Sequence, residues 1–137
     1  MVVYRKHRLL PFPRFAHILF GETLEEILSS PEYLGLPHKP EEAIDTVNAT
    51  AMCLYGPLGI PILIFSGKKY NCTIGAHEAF HAITQTMQGA GGFETPLCKE
   101  THEIWAYSLE LLLKSVESTK DMWDVRKVDT HQLEFEI

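Results

Sequence analysis

The sequence lacks a surplus of basic residues, and it also lacks any long apolar run. It carries 12 basic against 18 acidic residues, which gives a net charge of −6. Nucleic-acid-binding domains usually carry a basic surplus, so we do not expect a nucleic-acid partner. No stretch approaches the roughly 20 apolar residues that a membrane span needs. We therefore do not expect a membrane partner either.

Cysteine is also scarce: only Cys53, Cys72 and Cys98 are present, and they are far apart. They form no Cys-x-x-Cys pair, and an odd number of separated thiols is typical of a reducing compartment. The basic N-terminus runs into Pro11 and Pro13 and does not continue into the apolar segment of a signal peptide. Together these features predict a soluble cytoplasmic protein.

What remains is the composition of one globular domain. Its 137 residues are 45% hydrophobic and 22% charged, so we expect a single domain over the whole chain. In the first half, Phe15–Phe20 predicts a strand. Thr23 and Glu26 form a capping box that opens a short helix. Pro40 suits a first helical position and predicts a second brief helix to Asp45.

Two apolar runs then predict a β-hairpin. They are Ala49–Tyr55 and Ile60–Phe65, and the Gly-Pro-Leu-Gly between them is strong turn chemistry. Both runs are apolar on both faces, so at least one of these strands should be well buried. Pro61 lacks a backbone donor, which favours an edge position for the second strand.

The last part of the chain predicts two helices and a tail. Asn71 or Thr73 can cap a helix that ends in a glycine-rich segment after Gln88, and Thr95 followed by proline predicts the start of the next helix. The glycine segment between them predicts an antiparallel pair. Residues 119–137 are polar and mixed, and they predict a tail with a late strand at its end.

Residues 77–81 read His-Glu-Ala-Phe-His, which is the pattern H-E-x-x-H. On a helix, residues i and i+4 share a face, so His77 and His81 can bind one ion at about 2.0–2.1 Å. Glu78 lies about 100° further around the helix and can reach the water that the ion binds. This pattern is typical of zinc metallopeptidases, where the glutamate is the general base.

The alternative interpretation is a pair of solvent-exposed histidines on an amphipathic helix. The apolar neighbours of the motif argue for a largely buried helix instead; they are Ala76, Ala79, Phe80, Ala82 and Ile83. Two buried histidines and a buried glutamate would need a common partner, because unpaired polar groups are costly in a core.

A catalytic zinc site needs a third protein ligand and an open fourth position. The downstream candidates are Glu94, Glu100, His102, Glu103 and Glu110. In an antiparallel helix pair, a rise of about 1.5 Å per residue puts Glu103 level with His81, whereas Glu100 falls about 4.5 Å short. Glu103 is therefore the predicted third ligand, and Glu100 is second.

Two further residues of the second helix are candidates for holding a ligand histidine by a hydrogen bond. Tyr107 is level with His77, and Glu110 shares the helix face of Glu103. The simpler interpretations are a core aromatic for Tyr107 and a surface charge for Glu110.

These motifs resemble the gluzincin clan of zinc metallopeptidases, in which a glutamate on a second helix completes the HExxH site. More narrowly, residues 46–113 resemble short HExxH proteins of bacteriophage and mobile elements. Those proteins combine a similar hairpin, an A-H-E-A-x-H helix and an E-x-x-A-Y-S helix. The resemblance implies a small zincin-like α+β domain, with the hairpin packed on the motif helix and an antiparallel second helix. It also implies bound Zn²⁺ and a peptide or protein substrate that lies along an edge strand.

The chain also departs from better known relatives. ImmA-like regulatory peptidases usually carry asparagine where Tyr107 stands, and larger gluzincins have a second subdomain that this chain is too short to contain. The cleft must then be shallow, completed by the tail, or formed with a second copy in a homo-oligomer. The predicted function is a zinc-dependent peptidase that uses a water activated by Glu78. The alternatives are a non-enzymatic, zinc-stabilised phage or mobile-element accessory protein, or a regulatory ImmA-like protease.

Overall fold

The computed structural model describes residues 1–9, 14–37, 39–56, 58–87 and 97–136, with side chains up to Lys127. Within these residues the chain is α+β, as predicted. Its elements are β1 (Val3–Arg8), β2 (Phe15–Gly21), α1 (Leu24–Leu28), α2 (Pro31–Leu34), β3 (Ala51–Tyr55), β4 (Pro61–Ser66), α3 (Cys72–Met87) and α4 (His102–Glu136).

The four strands form one mixed sheet in the order β1-β2-β4-β3. The pairs β1–β2 and β3–β4 are antiparallel, while β2 and β4 run parallel with His17 opposite Ile62. The predicted strand at Phe15–Phe20 and the predicted hairpin are both confirmed. Every residue of β4 is buried, because both faces of this central strand are apolar and both are covered.

The prediction that the second hairpin strand lies at the edge is wrong, since β4 lies between β2 and β3. Ser66 N donates to Thr50 O at 3.0 Å, and hydrogen-bonded pairs alternate along an antiparallel ladder. The pair of Pro61 and Tyr55 is therefore a non-hydrogen-bonded one, which requires no donor from proline. Pairing with β2 starts only at Ile62, so proline is tolerated as the first residue of a central strand.

The sheet has a core on each face, because successive side chains of a strand point to opposite sides. Helices α3 and α4 cover one face, with a core that includes Ile18, Phe20, Leu63, Phe65, Ala79, Ile83, Leu112, Val116 and Trp123. Helices α1 and α2 and the loop that follows them cover the other, with a core that includes Leu19, Leu24, Ile27, Tyr33, Leu54, Ile62 and Ile64.

The helix starts in the first half follow their capping residues. Thr23 Oγ1 accepts from Glu26 N at 3.1 Å, which confirms the predicted cap of α1. The helix predicted from Pro40 to Asp45 is wrong, because this segment is irregular. Only Ile44 within it packs on the core, and so short a helix gains too little from packing to offset its nucleation cost.

The two long helices run antiparallel, as predicted. Tyr70, just before α3, donates to Glu117 in the middle of α4, whereas Phe80 lies 6.5 Å from Trp105 near the start of α4, measured between ring centroids. The expected end of the first helix at Gln88 lies outside the described residues. The prediction that the second helix starts at Thr95 is wrong, because the described residues 97–101 form turns instead of helix. Residues 97–101 precede the helix, which begins at His102.

The predicted tail with a late strand is wrong, because residues 119–136 continue α4. The buried stripe of this helix extends through Val116 and Thr119 to Trp123, which is 2% exposed. The Trp123 ring lies on Gly67, where an added Cβ would come within 2.5 Å of it. This contact holds the second half of α4 on the sheet. Among the described helices, none has the length and apolar character needed to cross a membrane.

Candidate metal centre

The motif helix α3 is fixed at its N-terminal end by two contacts. Asn71 Oδ1 accepts from Ile74 N at 2.9 Å, so Asn71 is the cap. Tyr70 crosses the first turn above Gly75, where an added Cβ would lie 2.2 Å from the Tyr70 hydroxyl. That hydroxyl donates to Glu117 Oε1 at 2.7 Å. Because residue 75 is a glycine, Tyr70 can pass over α3 two residues before the motif and bond Glu117 on α4.

The two histidines of the motif converge. His77 Nε2 and His81 Nε2 are 3.1 Å apart, and the ring planes meet at 82°. Two ligand atoms of a tetrahedral zinc ion with bonds of about 2.0–2.1 Å lie about 3.3 Å apart. The pair thus has the spacing of two ligands of one ion, which is the fit that the spacing of the motif predicts.

The pair lies at the surface, so the prediction that it is buried is wrong. His77, Phe80 and His81 form the exposed face of α3, while Ala79 and Ala82 pack on the sheet. The apolar neighbours thus bury only one side of the helix, and the histidines lie on the other.

Glu78 lies on the inner side of α3 and is 9% exposed. Its carboxyl faces Cys53 and Tyr55 of β3, whose pKa values its charge raises. Burial raises the pKa of Glu78 itself, and the neighbouring His77 and His81 act in the opposite direction. The glutamate next to the first histidine is therefore held in a partly dehydrated position, where it is a stronger base when ionised.

Cys53 and Tyr55 belong to the site, although the sequence reasoning did not include them. Cys53 Sγ lies 3.2 Å from Tyr55 Oη, and the same hydroxyl donates to the main-chain oxygen of His81 at 2.7 Å. Burial raises the pKa of Cys53 to about 12 and that of Tyr55 well above its usual range. The signal that could have found them is their alternation around Leu54, which places both on the strand face next to the motif helix.

The structure does not bring Glu103 to the histidine pair. Its side chain is 87% exposed, and its Oε1 lies 3.2 Å from Nε2 of the adjacent His102. Glu103 precedes the buried Leu112 by nine residues, which is about 180° around the helix. Over the described part of the chain, no group of three or more His, Cys, Asp or Glu is placed to hold an ion. Glu94 lies outside the described residues.

The other downstream candidates are also at the surface. Glu100 is exposed, and a hydrogen bond from Cys98 lowers its pKa. Glu110 pairs with Lys114 at 3.1 Å, as a surface charge does. Tyr107 is 58% exposed, so it is not a core aromatic. Each histidine of the motif has its hydrogen bond with the other one, not with Tyr107 or Glu110.

An open cleft lies at the end of β3 beside this site. It has a volume of about 300 Å³ and is lined by Pro40, Glu41, Glu42, Tyr55 and Gly56. Tyr55 thus contacts α3 on one side and borders the cleft on the other.

Comparisons with protein-family models, with curated proteins and with solved structures find no match to this chain. The resemblance to gluzincins accordingly stays a prediction that rests on the motif and its local geometry.

Proposed function

We propose that the protein is a zinc-dependent peptidase in which His77 and His81 hold the ion and Glu78 is the general base. The observation that carries this proposal is the 3.1 Å approach of the two Nε2 atoms beside a buried glutamate. Zinc, when bound, would supply a water of lowered pKa and polarise the scissile carbonyl.

Glu78 has two roles in this proposal. It takes a proton from the attacking water and later gives a proton to the leaving amine, as a general base and then a general acid. Its inward position suits this role better than that of a ligand, because its side chain faces β3 while both histidines face solvent.

The proposed peptide site is the side of β3 on which none of the described residues adds a further strand. This strand is an outer strand of the sheet and packs next to α3. Every second residue from Thr50 onward forms main-chain hydrogen bonds with β4. The residues between them direct their N–H and C=O groups away from β4; they are Ala51, Cys53 and Tyr55. An extended peptide can add there as a further strand, with main-chain bonds supplying affinity. The predicted edge site thus moves from the second hairpin strand to the first.

The third ligand is left to experiment among three glutamates: Glu103, which the sequence ranks first but whose side chain is 87% exposed and turned from the pair, Glu100, which it ranks second, and Glu94. A second function also has support, namely a metal-binding interaction protein without catalysis. The exposure of the histidine pair favours it, together with the lack of a third His, Cys, Asp or Glu beside the pair among the described residues.

The test is zinc content combined with hydrolysis. We expect about one zinc per chain, lost in His77→Ala and His81→Ala. Glu94→Gln, Glu100→Gln and Glu103→Gln then identify the third ligand by which one loses the metal. Glu78→Gln should keep the zinc and lower the hydrolysis of a peptide library by about 10²–10⁴-fold. Glu32→Gln, an exposed change on α2, is the matched control.

The outcomes separate the two functions. Zinc binding without hydrolysis in the wild-type protein would support the interaction protein. Unchanged hydrolysis in Glu78→Gln would reject the general-base role, and a wild-type chain that binds no zinc would reject both functions.

A further inference from the structure

Tyr55 joins the edge strand to the turn of α3 that carries the second histidine. Its hydroxyl donates to the main-chain oxygen of His81 at 2.7 Å, across a sequence separation of 26 residues. A helix carbonyl accepts one bond from the amide four residues on, and its second lone pair remains available. Tyr55 therefore adds a hydrogen bond to the helix without displacing a helical one.

Cys53 orients the hydroxyl of Tyr55. Its thiol donates to Tyr55 Oη at 3.2 Å, and the two side chains share one face of β3 because they are two residues apart. A tyrosine hydroxyl has a single proton. With the thiol proton directed at the Tyr55 oxygen, the Tyr55 proton is directed at His81.

The histidine pair depends on its backbone for its geometry. His77 and His81 are exposed, and their side-chain hydrogen bond is to each other. On the N-terminal side, Tyr70 packs over Gly75 and fixes the first turn of α3. On the C-terminal side, Tyr55 bonds the carbonyl of His81 itself. The two tyrosines thus bracket the pair.

We propose that Tyr55 is a positioning residue, which holds His77 and His81 in their converged arrangement through its bond to the His81 carbonyl. This inference rests on the proposed zinc site, but it also describes the metal-free chain. It assigns Tyr55 no contact with the reacting atoms, and its effect is on the metal affinity of the pair.

The test compares Tyr55→Phe with Tyr4→Phe. Tyr4 Oη lies 2.7 Å from His17 Nδ1, so both changes delete a tyrosine hydroxyl that bonds a neighbouring element at 2.7 Å, but Tyr4 lies on the face of the sheet that α1 and α2 cover. Three readouts are used: the zinc dissociation constant from competition with a chelator, the absorption spectrum of the Co²⁺ form, and the imidazole nitrogen shifts of metal-free protein.

We expect Tyr55→Phe to weaken zinc binding by roughly 10-fold, as changes behind a metal ligand do. It should also change the Co²⁺ spectrum and the shifts of His77 and His81. Tyr4→Phe should lower the melting temperature and leave all three readouts unchanged. If Tyr55→Phe does not fold, Cys53→Ala tests the same two hydrogen bonds, and it should weaken zinc binding by a smaller factor. Cys53→Ser keeps a donor at position 53 and should restore the zinc affinity.

Equal zinc affinity in Tyr55→Phe and the wild type overturns the inference. Equal weakening in Tyr4→Phe also overturns it, because the effect is then a general loss of stability. If the wild-type chain takes up no zinc, it is the proposed function that fails. The imidazole shifts of the metal-free protein then decide on Tyr55 alone, and unchanged shifts in Tyr55→Phe reject its positioning role.

Discussion

The two outer strands of the sheet differ in charge and in what they contact. β1 carries Arg5, Lys6 and Arg8, and Arg5 also contacts Met122 on α4. β3, from Ala51 to Tyr55, has no charged residue and packs next to the motif helix. Charged side chains on an outer strand discourage another strand from pairing with it. Within the described residues, the sheet is therefore protected at β1, where α4 stabilises it, and has no paired strand on the outer side of β3, next to the histidine pair.

The largest expected effect concerns the protected side. Trp123→Ala removes a ring that is 2% exposed and packs on Gly67. We expect a loss of about 3–5 kcal/mol of unfolding free energy, measured by urea denaturation. Phe80→Ala is the comparison on the β3 side, and because Phe80 is 48% exposed its loss should be clearly smaller. Equal losses would mean that the second half of α4 does not form part of the core.

The next effect concerns the contact of Tyr70 with Gly75, which fixes the motif helix on the β3 side of the sheet. Gly75→Ala places a Cβ 2.2 Å from the Tyr70 hydroxyl, so tyrosine or α3 must move. Overpacking of this kind costs about 1–3 kcal/mol. In the double variant with Tyr70→Phe the nearest remaining ring atoms are 3.0 Å away. The double variant should therefore lose less unfolding free energy than the sum of the single ones, and strict additivity would contradict the contact.

A smaller effect is expected from removing one donor at the outer edge of β3. Ala51→Pro deletes an N–H that points away from β4, and proline is tolerated as the first residue of a strand. The loss of one hydrogen bond, about 1 kcal/mol, should raise the KM for peptide about fivefold. Ala51→Gly keeps the donor and is the control. The same KM in both variants would argue against strand addition at β3.

The smallest effect is a pH dependence on the protected side. His7 on β1 lies 2.7 Å from Ser115 of α4, measured from Nδ1 to Oγ, and burial followed by the Arg5 charge lowers its pKa below 6.5. The folded state thus disfavours the charged imidazole. This contribution to stability is present above about pH 6.5 and is lost as the pH falls through the lowered pKa. Between pH 7 and pH 5, the melting temperature of His7→Gln should fall less than that of the wild type. An unchanged profile would mean that other groups cause the fall.

Local signals in the sequence predict the elements near the site. The Gly-Pro-Leu-Gly turn gives the β3–β4 hairpin, and the caps Thr23 and Asn71 give the starts of α1 and α3. The histidine spacing predicts a converging pair because helix geometry alone decides it. In each of these cases the cause lies within a few residues of its effect.

Non-local contacts decide what the sequence reasoning missed. The central position of β4 depends on its parallel pairing with β2, which joins His17 to Ile62. The continuation of α4 depends on the contact of Trp123 with Gly67. These partners are distant in the chain, and no local pattern identifies them.

The prediction of Glu103 as the third ligand uses only the rise of the helix, which does not determine the direction of a side chain. The rise along an antiparallel pair concerns only how far Glu103 lies along α4, and it does not say which way the side chain points. The rotation of α4 is set by its buried stripe through Trp105 and Leu112, and that stripe faces away from Glu103. The rotation of a helix depends on all of its packed residues at once, so a single candidate ligand does not determine it.

The uncharged edge of β3 has a consequence for the behaviour of the protein in concentrated solution. Unpaired main-chain groups do not distinguish a peptide from β3 of another molecule, so we expect the outer edge of β3 to favour self-association. A bound peptide and a second copy then compete for it. We therefore expect extended peptides that bind this edge to raise the concentration at which the protein begins to aggregate.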